Sequence, residues 1–262
     1  MEHIVVVKCG GSTVDELSPS FFESICKMKE NGKHPVIVHG GGPAINGMLQ
    51  ALQIETEFVD GRRKTTPKVL ETVEMVLSGK VNKQIVAQIQ SVNEKAIGLS
   101  GVDAKLLTAT AIERETLGLV GKIKAVNVSF LRELLEMGYI PVIAPIALDE
   151  RGEKLNINAD EAAGAIASAL QAEELVFVTD VDGVLVDGQL QETLSVSEID
   201  TYIEDGTIYG GMIPKVNAAR ESLTGDIKKV TIANGNGKNT DENGALIGTT
   251  IMKEEFIAQE DA

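Results

Sequence analysis

Short, unbroken apolar runs recur along the chain, and most are followed by a segment with helical periodicity. The runs are Ile4 to Val7, Val36 to Val38, Ala96 to Leu99, Ile140 to Ile146 and Leu175 to Val178, and Lys229 to Ala233 reads as a further strand. A strand with one face in water alternates apolar and polar residues. A strand that does not alternate is buried on both faces, which is the condition of a parallel sheet covered by helices above and below. The chain is therefore expected to be α/β, with a mostly parallel central sheet. No linker-like composition and no internal repeat divides its 262 residues, so a single domain is expected.

The intervening segments carry ordinary helix signals. Ser18-Pro19 opens a helix that Gly32 closes, and Pro43 opens one that runs to about Gln53. Pro67 to Val92 is helical in pattern, with an interruption expected near Ser78-Gly79. Val128 to Met137 stops at Gly138, and Ala159 to Gln171 is an alanine-rich helix. Two more helices are expected from Ser195 to Glu204 and from Pro214 to Leu223, and Thr249 to Met252 reads as a last strand. Between Leu106 and Val126, β-branched residues and glycines without helical period predict antiparallel hairpins laid over one end of the sheet.

Ligands of open α/β sheets bind beyond the carboxyl ends of the strands, and the unusual residues fall at those ends. The first strand runs into Lys8-Cys9-Gly10-Gly11-Ser12. The second runs into His39-Gly40-Gly41-Gly42, and Leu175 to Thr179 runs into Asp180-Val181-Asp182-Gly183. One Gly-Gly pair is ordinarily a tight turn. Three glycine-bearing loops on one sheet edge offer unobstructed N–H groups near helix N-termini, which suits phosphate or carboxylate. No G-x-x-x-x-G-K-[ST] occurs, so the chain is not a P-loop NTPase, and no G-x-G-x-x-G follows the first strand. The His-Gly-Gly-Gly string has an esterase use, but that needs a G-x-S-x-G elbow, which is missing.

Composition excludes other classes. A net charge of −15 argues against a nucleic-acid partner, which requires a basic surface. No apolar run reaches the length of a membrane span, and the N-terminus does not read as a signal peptide. Cys9 and Cys26 show no metal-ligand spacing and read as reduced thiols of a cytoplasmic protein. Against this acidic background the basic residues beside glycine matter. Lys8 borders a Gly-Gly turn, Arg62-Arg63-Lys64 is the densest basic cluster, and Lys215 follows Gly210-Gly211-Met212. Leu155-Asn156-Ile157-Asn158-Ala159-Asp160 holds more polar residues than an N-cap needs.

Taken together, Lys8-x-Gly-Gly, His39-Gly-Gly-Gly-Pro, Gly61-x-Arg-x-Thr-Thr-Pro, Asn156-x-Asn-Ala-Asp, Thr179-Asp-Val-Asp-Gly-Val and Gly211-Met-Ile-x-Lys-Val-Asn resemble the N-acetylglutamate kinases of the amino acid kinase superfamily. The motifs keep the family's order and cover nearly the whole chain. The resemblance implies a three-layer αβα sandwich. Its N-terminal lobe, to about residue 172, would hold N-acetyl-L-glutamate, and its C-terminal lobe, from about residue 173, MgATP. The γ-carboxylate would take the γ-phosphoryl group, the second step of arginine biosynthesis.

By motif position, the resemblance makes Lys8 and Lys215 the lysines that stabilise the transferring phosphoryl, with Asp160 holding both. Backbone N–H groups of Gly11 and Gly41 would meet phosphoryl oxygens, Gly10 would belong to the same phosphate-binding loop, and Gly41 and Gly42 would line the substrate. Arg63 would clamp the α-carboxylate, and Asn156 and Asn158 the acetamido end. Asp180, Val181, Asp182, Gly183, Val184 and Leu185, with Gly210, Gly211 and Met212, would cradle the nucleotide. No protein metal site is implied, the magnesium travelling with ATP. The family also implies a homodimer. Arginine-inhibited members carry an N-terminal helix before the first strand and a C-terminal His-x-Leu-Leu stretch, neither of which is seen here, so arginine insensitivity is expected. Rival readings are another acyl-phosphate kinase, such as glutamate 5-kinase or aspartokinase, and a non-catalytic nucleotide-binding regulator.

Overall fold

The computed structural model describes residues 2–10, 17–223, 227–237 and 239–260. Gly11, assigned above to phosphate, lies outside the described residues.

Eight strands form one central sheet. From one edge to the other they are Thr193–Ser195, Gly248–Met252, Lys229–Asn234, Glu174–Thr179, Ile4–Cys9, His34–His39, Ile140–Ala144 and Ala96–Ser100. The last six in that order are mutually parallel. Gly248–Met252 pairs antiparallel with Lys229–Asn234 and parallel with Thr193–Ser195, so two reversed strands close one side.

The unbroken apolar runs are buried on both faces. Val5, Val7, Ile37, Val176 and Val178 face a layer that includes the helices Pro19–Glu30, Gly42–Ala51, Pro67–Glu74 and Asn82–Ser91. Val6, Val36, Val38, Leu175 and Phe177 face a layer that includes Val128–Glu136, Ala159–Leu170, Val196–Glu204 and Met212–Ser222. The period of two within each strand thus sorts side chains between two cores, and the αβα sandwich follows.

Three local outcomes differ from expectation. The interruption near Ser78-Gly79 is a π-helical stretch, Met75–Val81, that carries the helix onward without a break. The apolar run to Ile146 is divided at Pro145, and Ile146–Leu148 leaves the sheet. It joins Leu107–Ala111, Val120–Val126 and Lys154–Ile157 in a small closed barrel. The antiparallel pairing expected between 106 and 126 is there, extended by two strands. This barrel supplies part of the wall of the first cavity described below.

Candidate active site

In-register pairing brings the strand tips to one edge. Cys9 lies opposite His39 and Val178, and Thr179 opposite Asn234. Three cavities lie along this edge, and each shares wall residues with the next.

The first, about 370 Å3, is lined by residues between Lys8 and Asp160, among them Gly41, Gly42, Arg63, Asn156 and Asn158. Gly41 caps the Gly42–Ala51 helix without a side-chain hydrogen bond. A Cβ on Gly41 would stand 2.7 Å from Leu77 Cδ2 on the π-helical stretch, whereas a Cβ on Gly42 would meet no protein atom within 4 Å. Gly41 is thus bare partly because a helix packs behind it. Gly42 is bare toward the cavity alone.

Arg63 is 8% exposed. Its guanidinium donates to Thr56 Oγ1 and Asn46 Oδ1, each at 2.6 Å, and lies 4.6 Å from the Phe58 ring centre. Burial lowers its pKa. The flanking cations are neutralised within the chain, Arg62 by Glu161 and Lys64 by Glu57. Among the described residues no carboxylate pairs with Arg63.

The second cavity, about 200 Å3, contains Lys8, Gly10, Asp160, Asp180 and Lys215. Lys8 leaves its strand toward the face covered by the Ala159–Leu170 helix, with its ammonium 2.7 Å from Asp160 Oδ1 and above the Phe177 ring. Asp160 and Glu161 occupy the first turn of that helix, where the dipole favours carboxylates. Lys215 corrects one expectation. Its ammonium lies 2.6 Å from Asp180 Oδ1, so Asp160 holds one lysine and Asp180 the other. Asp160 is already bonded to Lys8, and Asp180, 64% exposed at a strand tip, is the carboxylate within reach. The Lys215 hydrogen bond lowers the pKa of the Asp180 carboxyl.

The third cavity, about 430 Å3, is lined by Asp180, Val181, Asp182, Gly183, Val184 and Leu185, with Thr207, Ile208, Tyr209, Met212 and Asn234. Gly210, at φ +56°, and Gly211 form the turn between Tyr209 and Met212 rather than the cavity wall itself. Asn234 donates to Asp182 Oδ1 at 2.8 Å.

Asn158 needs a second qualification. Its side-chain oxygen accepts from the Asp160 and Glu161 N–H groups, so that oxygen caps the helix and is not free for a ligand. Asn156 donates to Thr65 Oγ1 at 3.1 Å. Tyr209, Asn234, Asn46, Thr56 and Phe58 were missed in the sequence. Asn234 carried a signal, being a polar residue at a parallel strand tip like the others. Phe58 and Tyr209 carried none.

The amino acid kinase family model matches residues 3–234. The acetylglutamate kinase of Halalkalibacterium halodurans is 52% identical over 259 residues, spanning 99% of this chain and 100% of its own. The chain belongs to the acetylglutamate kinases of the amino acid kinase family. The acetylglutamate kinase of Geobacillus kaustophilus is similarly related, 53% identical over 97% of this chain and 98% of its own. Among solved structures, smu.665 from Streptococcus mutans UA159 superposes with a TM-score of 0.84 at 31% identity, covering 97% of this chain and 100% of that one. N-acetylglutamate synthase from Neisseria gonorrhoeae, complexed with coenzyme A and N-acetyl-glutamate, superposes at 0.81 with 25% identity, covering 96% of this chain and 60% of that one.

Proposed function

We propose that this chain transfers the γ-phosphoryl group of ATP to the γ-carboxylate of N-acetyl-L-glutamate in arginine biosynthesis. The observation that carries the acid half is Arg63. A buried guanidinium with only neutral partners is costly unless an anion joins it, and its fork suits an α-carboxylate bidentately. The first cavity takes the acid, with Asn156 toward the acetamido group. The third cavity takes the nucleotide, and the second is where the two meet. Every residue lining the first precedes position 172 and every one lining the third follows it, which supports the two-lobe division.

A γ-carboxylate oxygen attacks the γ-phosphorus while its bond to the bridging oxygen of ADP breaks, giving an acyl phosphate and ADP. The carboxylate is ionised at neutral pH, so no protein base is required. Such transfer needs positioned donors and cations around spreading charge. Lys8 and Lys215 supply the cations, and Asp160 and Asp180 hold the two ammonium groups. The magnesium ion that accompanies ATP neutralises phosphate charge. Asp180 and Asp182 line the third cavity, and their carboxylate oxygens are hard donors that would suit the ion. The proposal includes a cytoplasmic homodimer, and insensitivity to arginine, which the stretch 234–249 without His-x-Leu-Leu supports.

Hydroxylamine trapping with MgATP and N-acetyl-L-glutamate, glutamate, aspartate or bicarbonate with ammonia tests the reading. Hydroxamate is expected from N-acetyl-L-glutamate alone, unchanged by added arginine. Lys8→Ala should lower kcat by roughly 100- to 1000-fold. Arg63→Lys should instead raise the KM for the acid by about 10- to 100-fold, the worth of a charge-assisted bond. Turnover with another acid only would move the chain to a different acyl-phosphate kinase, and no turnover at all would make it a binding regulator.

A further inference from the structure

Behind the glycine loop lies a buried polar network that the phosphoryl-transfer reading does not use. His39, fully buried at the tip of its strand, is bonded at both ring nitrogens. Nδ1 lies 2.9 Å from the Gly40 carbonyl oxygen, and Nε2 lies 3.2 Å from Asn82 Nδ2. A carbonyl can only accept and the Asn82 amide nitrogen can only donate, so one tautomer satisfies both contacts, with the proton on Nδ1. Asn82 is also fully buried. Its amide nitrogen donates to the Val142 carbonyl oxygen at 2.9 Å and shares its second proton between the Leu99 carbonyl oxygen and His39 Nε2, each at 3.2 Å, and its Oδ1 accepts from Lys83 at 2.9 Å. The neighbouring strand makes room for it, since a Cβ on Gly98 would stand 2.0 Å from Asn82 Oδ1.

The Gly40 carbonyl and the Gly41 N–H belong to one peptide unit. No cis peptide occurs among the described residues, and in a trans unit the two groups point in opposite directions. Drawing the carbonyl back toward the buried imidazole therefore turns the Gly41 N–H forward. Among the described residues that N–H has no protein acceptor. A Gly-Gly unit has no Cβ on either side to resist a flip. Flipped, it would present a carbonyl oxygen to an anion. Sterics do not choose between the two orientations, and the hydrogen bond does.

We infer that His39 is a positioning residue whose ring, held by Asn82, aims the Gly41 N–H into the first cavity as a donor to the transferring phosphoryl or attacking carboxylate. The inference rests on the phosphoryl-transfer reading of that cavity. Asn82 extends the control to the first turn after the π-helical stretch, so the helix behind Gly41 and the loop in front of it share one network. A buried network in which every polar atom has a partner within hydrogen-bond reach favours one geometry.

The test compares His39→Leu, which fills the space without a donor, with His39→Asn, which places an amide N–H where Nδ1–H stands. His39→Leu should lower kcat by about 100-fold, as loss of one oxyanion donor does, with the KM for ATP within about twofold of the parent. His39→Asn should recover most of kcat. Equal kcat in parent and His39→Leu would overturn the inference, as would equal losses in both variants. Imidazole 15N NMR of the unaltered protein, which has three histidines, gives a readout that does not depend on either variant folding. A neutral Nδ1–H tautomer for His39 is expected, and an Nε2–H tautomer would overturn the proposal. Turnover by the unaltered protein tests the kinase reading separately. Its failure would leave the tautomer result standing.

Discussion

His39 also ties the site to the protein's acid stability. Burial pushes the pKa of its imidazole down to about 4 from the ordinary 6.5, opposed by the Gly40 hydrogen bond and assisted by Lys83. In the unfolded chain the same group binds a proton as pH falls through 6.5, while the folded protein stays neutral until about 4. The unfolded state then holds more protons, so stability rises with pH through that window. The contribution is fully present above pH 6.5 and is lost progressively down to pH 4, by about 3 kcal/mol in all. Urea unfolding of the parent and of His39→Asn at pH 7.5 and pH 4.5 isolates this term, because the carboxylates titrate in both. The parent should lose more stability than the variant. An equal loss would mean that the imidazole is protonated in the fold. The free thiols behave differently. Cys9 and Cys26 are buried and unbridged, and burial raises them to about 12 and about 11, so neither forms a thiolate near neutral pH.

At the scale of elements, the Gly42–Ala51 helix and the Met75–Val81 π-helical stretch set what the loop between sheet and helix can tolerate. Gly41→Ala would drive a methyl against Leu77, and both folding and activity should suffer. Gly42→Ala meets nothing in the protein and sits at the first helical position. It should leave the melting temperature unchanged or raise stability by roughly 0.5 kcal/mol, while its methyl displaces the substrate and lowers kcat/KM by on the order of 100-fold. Thermal melts beside steady-state kinetics separate the two glycines, and a Gly42→Ala enzyme with parental activity would put the acid elsewhere. The same elements show what could be read beforehand. The strand tips were legible because glycine, lysine, histidine and aspartate are odd neighbours for apolar runs, and parallel pairing gathers all tips at one edge. The Phe58–Val59 and Arg62–Arg63 hairpin was not, since two-residue strands carry no periodicity. A π-helical stretch adds one residue to a turn, and the sequence around Ser78-Gly79 shows that only as a flaw in the 3.6-residue pattern. The choice of Asp180 by Lys215 is a tertiary outcome, because both aspartates lie at strand or helix ends and nothing local ranks them.

At the scale of the molecule, the helix that opens at the first cavity carries a surface that this chain alone leaves uncovered. Met48 and Leu52, four positions apart and so on one side of the Gly42–Ala51 helix and its cap, are 37% and 48% exposed. Met75, on the element packed against that helix, is 58% exposed. Scattered apolar side chains need no explanation, but three on adjoining elements suggest a covered face. The helix that carries Met48 is also the one whose N-terminal residues Gly42 and Pro43 line the first cavity, so a partner seated there would steady it from behind. We expect sedimentation to give twice the chain mass of 27.9 kDa. Met48→Glu combined with Leu52→Glu should halve that value, because two charges in an apolar contact cost more than such an interface returns. Neither residue lines the first or the third cavity, so the monomer should still bind the nucleotide. Its KM for the acid should rise as the helix loses its support. A parent that sediments as a monomer with full activity would show that the site needs no second copy.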